Sequence, residues 1–111
     1  MKQVRQNIIY VGLNDAVTHE QKFDTDTYIS ILRNVCKSYR AAFSVQLING
    51  GYFHEDGSYT DENTLAITLL DIPEETVTEI AKDVCAFFHQ ESVMVTSSDA
   101  EVCFIHDDLG L

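Results

Sequence analysis

The sequence predicts one α+β domain in which two helices pack on one face of a mainly antiparallel sheet. Three observations predict it. Apolar residues at Tyr28, Ile31, Leu32, Val35, Cys36 and Tyr39 follow the i, i+3, i+4, i+7 spacing of a helix with one buried stripe. The same stripe returns at Val77, Ile80, Ala81, Val84, Cys85 and Phe88, each residue 49 positions later. Around both stripes lie short β-branched, aromatic or alternating runs, the pattern of strands.

Taken in order, "NIIYVGL" (7–13) is a compact apolar run closed by Gly12 and reads as a strand buried on both faces. The polar stretch "NDAVTHEQKF" leads to "DTDTY", where Asp24, Thr25 or Asp26 can cap a helix running to about Tyr39. "AFSVQLI" (42–48) turns Phe43, Val45 and Leu47 to the core, and "ENTLAITLLDI" (62–72) does the same with Leu65, Ile67 and Leu69, so the two form a hairpin. Pro73, Glu74 and Glu75 open the second helix, where the missing N–H is tolerated and negative charge suits the helix dipole. "SVMVT" and "AEVCFI" read as two short closing strands joined by a polar "SSD" turn. The order βαββαβ with two echoing halves is the ferredoxin-like sandwich, here with an extra C-terminal strand. Ile48, Ala66 and Leu70 fall on the sheet face away from the helices, which predicts a homo-oligomer.

A chain of 111 residues, 45% of them apolar, is sized for one core and one domain over residues 1–111. No apolar run approaches the roughly 18 residues that cross a bilayer, and the start has too short an apolar stretch for a signal peptide, so a cytoplasmic protein with no membrane partner is expected. Cys36, Cys85 and Cys103 sit among apolar neighbours without CxxC pairing, which predicts buried, reduced thiols. The net charge of −11 is unevenly spread. Residues 1–40 hold six of the seven Lys and Arg against four carboxylates, while residues 41–111 hold Lys82 against fourteen. Such a surface repels phosphate; it argues against direct nucleic-acid binding and for a basic protein partner, although acidity for solubility alone gives the same balance.

His19, His54, His89 and His106 form no HxH, HxxxH or HExxH pattern, and no GxSxG, P-loop or GxGxxG occurs. No catalytic residue, metal site or cofactor is therefore assigned. The stretch that stands out is "GGYFHEDGSYTDEN" (50–63), between the two hairpin strands. Asp56-Gly57 supplies the positive φ of a tight turn, and Gly50 and Gly51 suggest a bulge that twists the arm. Tyr52, Phe53, His54, Tyr59, Asp61 and Glu62 are the candidate binding residues: the rings offer flat apolar contact and the carboxylates attract a basic surface.

"YVGL" (10–13), "GGYFHEDG" (50–57) and "FHQESVMV" (88–95) together resemble a family of small bacterial proteins known as a domain of unknown function. The resemblance implies a ferredoxin-like fold and carries over no activity and no catalytic residues. Within it, Gln90 or Ser92 can bond free carbonyls at the end of the second helix. The function expected is a small non-enzymatic binding or regulatory module acting through the hairpin and the open sheet face. Two alternatives are an acidic inhibitor of the phage or mobile-element kind that imitates nucleic acid, and a small ferredoxin-like enzyme with His54 or His89 as base.

Overall fold

The computed structural model describes residues 1–53 and 55–109, so the hairpin residue His54 lies outside the described residues. In chain order the elements are β1 (Lys2–Gly12), α1 (Thr25–Ser38), β2 (Ser44–Phe53), β3 (Tyr59–Leu70), α2 (Glu74–Phe87) and β4 (Met94–Val102). The sheet order is β2-β3-β1-β4 and every neighbouring pair is antiparallel. This is the ferredoxin-like arrangement, with β1 and β3 in the centre.

Strand alternation builds the core. Ile9 and Val11 of β1 pair across the sheet with Ile67 and Leu65 of β3, and all four are fully buried beneath Leu32 and Cys36 of α1 and Ile80 and Val84 of α2. Each such side chain stabilises the fold by roughly 1.5–3 kcal/mol on leaving water. Asp24 caps α1 by accepting from the Thr27 N–H at 2.8 Å, whereas α2 begins at Pro73 without a side-chain cap. Both helices end on a residue in the left-handed region, Arg40 at φ 56° and His89 at φ 55°. Ala41 N–H then bonds the Cys36 carbonyl and Gln90 N–H the Cys85 carbonyl. The internal echo therefore extends from the helix stripes into the helix ends.

The structure departs from the sequence reading at five places. The extra C-terminal strand does not form: β4 runs unbroken through Ser97, Ser98 and Asp99. These residues stay in the ladder because β1 meets them with polar partners. Ser97 Oγ donates to Asn7 Oδ1, and Arg5 pairs with Asp99 at 3.0 Å. β1 is not buried on both faces along its length: Ile8 and Tyr10 are half-exposed on the side without helices, where only Val4 of the strand is buried. Gly50 and Gly51 make no bulge, since the β2–β3 register runs unshifted from Ser44↔Thr68 to Phe53↔Tyr59. Of the thiols only Cys36 is buried, with burial pushing it up to about 11. Cys85 is half-buried at the edge of the α2 stripe and Cys103 is exposed beyond β4. Leu47, assigned to the core, is 52% exposed because β2 is an edge strand that runs out from under the helices.

Candidate functional site

Past the Gly12↔Thr64 pair that ends the β1–β3 ladder, β2 and β3 continue as a two-stranded arm. The arm helps to draw the molecule out to 57 × 28 × 27 Å. Its turn holds Gly57 at φ 88°, and Asp56 accepts from the Ser58 N–H at 2.9 Å, as Asp-Gly turn chemistry requires.

Because strand side chains alternate, the arm sorts the candidate residues onto two faces. On the helix side, the rings of Phe53 and Tyr59 meet at 5.1 Å between centroids, and the Tyr59 hydroxyl donates to Asp61 at 2.9 Å. That hydrogen bond and the nearby negative charge hold the Tyr59 hydroxyl above its ordinary pKa. The ring lies over Gly51, where a Cβ would sit 1.9 Å from the tyrosine oxygen. Gly51 is thus the seat of a cross-strand aromatic. Tyr52 and Glu62 point to the opposite side, and of the described candidates these two have side chains that line a cleft there, while Asp61 meets it through its carbonyl, which accepts from Asn14 Nδ2 at 3.2 Å.

The cleft has a volume of about 280 Å³ and lies at the root of the arm. Asn14, Asp15, Tyr52, Glu62, Gln90 and Glu91 contribute to its walls. Glu62 folds back over Gly12, where a Cβ would stand 2.5 Å from its carboxylate atoms, and accepts from the Asn14 N–H at 3.0 Å. Only a glycine leaves room for that carboxylate. Gln90 reaches across from the end of α2 and donates to the Asn14 carbonyl at 2.5 Å and to the Phe88 carbonyl at 3.3 Å. The expectation that Gln90 serves a free helix carbonyl is met, and the same amide also ties the loop after β1 to α2.

Asp15 anchors that loop. It is 3% exposed, and one oxygen accepts from the N–H groups of Val17 and Thr18 at 2.8 and 3.0 Å. The other oxygen meets His89 Nδ1 at 2.6 Å and Lys22 Nζ at 3.2 Å. Since a carboxylate only accepts, the proton of this contact sits on His89 Nδ1. The backbone bond from Thr18, the His89 contact and the Val17 bond hold the Asp15 carboxyl well below the usual carboxylate range, with Lys22 adding to the effect. The Ala16 N–H also bonds the His89 carbonyl at 2.9 Å. Asp15 and Asn14 are the residues that sequence reasoning missed, and His89 entered it only as a possible base.

Asp15, Glu62 and Glu91 give the cleft three carboxylates, and no Lys or Arg lines it among the described residues. Lys22 and His89 meet Asp15; Glu62 and Glu91 form no ion pair among the described residues. A cation or a neutral polar molecule suits such a cleft better than a polyanion does. No group of His, Cys, Asp and Glu able to hold a metal ion occurs among the described residues. No helix there is long and apolar enough to cross a membrane.

No family model and no curated protein matches the chain. Among solved structures it is similar to a phage SAM lyase in the apo state, with a TM-score of 0.67 and 22% identity over 87% of this chain and 81% of the other. A phage SAM lyase in complex with S-methyl-5′-thioadenosine gives a TM-score of 0.63 and 22% identity over 86% and 80% of the two chains. The GlnK–ATP complex of B. subtilis gives 0.57 and 13% identity over 88% and 82%. At these identities the likeness establishes a shared fold, that of a small α+β domain.

Proposed function

We propose that the chain binds S-adenosylmethionine (SAM), or a close sulfonium relative, in the cleft at the root of the arm and cleaves it to S-methyl-5′-thioadenosine. The observation that carries this reading is the charge of the cleft. Two neighbours of the same fold carry adenosine compounds that differ at the 5′ position, a triphosphate in one and a methylthio group in the other. A triphosphate needs cations, and this cleft presents Asp15, Glu62 and Glu91 instead. A sulfonium brings one positive charge, which Glu62 can face, and Tyr52 offers a ring for the adenine or for a cation–π contact. In cleavage the substrate's own carboxylate bonds to the γ-carbon and closes homoserine lactone while the C–S bonding pair returns to sulfur, so no outside nucleophile is consumed. The sulfonium charge that Glu62 attracts is lost with the product, and release is favoured.

The test is incubation of the purified chain with SAM, with S-methyl-5′-thioadenosine followed by chromatography and binding by calorimetry. Glu62→Gln should weaken SAM binding by roughly tenfold, equivalent to about 1.4 kcal/mol. Gly12→Ala should act in the same direction by pushing the Glu62 carboxylate off the Asn14 N–H. SAM binding without turnover would leave a non-enzymatic binding module; ATP binding without SAM binding would overturn the proposal.

Two further expectations belong to the same reading. The half-exposed open face around Ile8, Tyr10 and Ile48, with Met94 and Leu70 beside it, is the surface through which copies of the chain would associate, and it adjoins the cleft. The exposed Phe53–Tyr59 pair on the far side of the arm suits a protein partner with a basic surface, which is the regulatory role the sequence suggests. A metabolite site of this kind also fits a cytoplasmic location.

A further inference from the structure

We propose a second binding site, a groove between α2 and β4 that takes a neutral, medium-chain acyl compound whose carbonyl accepts a hydrogen bond from Asn7. The groove has a volume of about 500 Å³ and shares no lining residue with the cleft at the arm. It arises because β4 is an edge strand, while the small side chains of Thr78, Ala81 and Cys85 on α2 leave space above it. Val77, Val93 and Val95 make its walls apolar. Volumes of this size with apolar walls and few polar groups are typical of small-molecule sites.

The floor gives the groove its chemistry. Asn7 is 2% exposed, and its Oδ1 accepts from the Ser97 hydroxyl. Its Nδ2 has no hydrogen-bond partner among the described residues. On its own face of the sheet Asn7 stands between Leu69 of β3 and Ser97 of β4, so Leu69 offers no acceptor and Ser97 is already engaged with Oδ1. Proteins rarely keep a buried amide N–H without an acceptor. Asn7 lines the groove and its Nδ2 is closed to solvent, so an acceptor entering along the groove would satisfy it by parting the side chains above it, and apolar walls require an apolar body behind that acceptor. The charge decides the rest of the ligand. Lys82 stands at the rim beside Glu74 and already faces Glu79 at 3.8 Å, on a protein of net charge −11. A free carboxylate would therefore be repelled overall, whereas the carbonyl of an amide or ester is not.

The experiment is an NMR titration of the isotope-labelled full chain with octanamide. The Asn7 side-chain amide and the methyl groups of Val77 and Val95 should shift saturably and together. Asn7→Leu, which keeps the volume and removes the donor, should weaken octanamide binding by about tenfold, the value of one hydrogen bond near 1.4 kcal/mol. Ala81→Phe, which fills the groove from the helix side and leaves the strand intact, should abolish the shifts even if Asn7→Leu does not fold. The proposal is overturned if octanamide causes no saturable shift, if the shifts persist unchanged in Ala81→Phe, or if the ligand-free groove methyls show contacts to a second copy of the chain.

Discussion

At the residue scale, the Asp15 carboxylate accepts from two backbone N–H groups, a lysine and a histidine while almost wholly buried, so its ionised form belongs to the folded state. Its folded pKa is depressed, while in the unfolded chain an aspartate titrates near about 3.9. The stability it contributes is therefore present above about pH 4 and is lost as the pH falls further toward the folded value. Asp15→Asn should lower the urea midpoint at pH 7, and the gap from the parent protein should narrow at pH 3. A gap that is independent of pH would show that the carboxylate charge plays no part. The His89 contact was not legible in the sequence, because His89 lies 74 positions from Asp15. The strain that a non-glycine residue bears in the left-handed region is of order 1–3 kcal/mol, and persists only where surrounding contacts hold it. At His89 the Asp15 bond is such a contact, and it ties the helix end to the loop after β1.

At the scale of elements, periodicity carried most of the fold. The stripes of α1 and α2 and the alternation of Leu65, Ile67 and Leu69 each fell on the buried side, because a single face decided those patterns. It failed where two partners decide together. Ser97, Ser98 and Asp99 look like a turn in isolation and lie in a strand only because Asn7, Gln6 and Arg5 stand opposite them. The arm shows both outcomes. Its turn at Gly57 was legible from Asp-Gly, whereas the division of Tyr52 and Glu62 from Phe53, Tyr59 and Asp61 needed the register. Gly51→Val should drive the Tyr59 ring from its seat and separate it from Phe53. Since the arm lies beyond the core, global stability should change by less than about 1 kcal/mol while local opening increases. Hydrogen exchange should quicken in residues 50–62 and stay unchanged in β1; slowed or unaltered exchange in the arm would count against this packing.

For the whole molecule, the helices cover one side of the sheet and leave Met94 and Leu70 on the other at 57% and 42% exposure. A charge on that side should oppose association without entering the core. Met94→Glu together with Leu70→Glu should shift sedimentation toward the monomer while the circular dichroism spectrum is unchanged. An identical sedimentation coefficient in parent and variant would remove the open face as the contact. The strand order also has a consequence in time. β1 is made before the other five elements and one of its two neighbours, β4, after them, and Asn7 meets Ser97 across 90 positions of chain. Closing so long a loop is slow relative to forming the β2–β3 hairpin. While the chain is being synthesised, β1 waits with one edge unpaired until residues 94–102 leave the ribosome. During that interval the β4 of a neighbouring nascent chain fits the same edge, so crowded synthesis raises the share of exchanged strands.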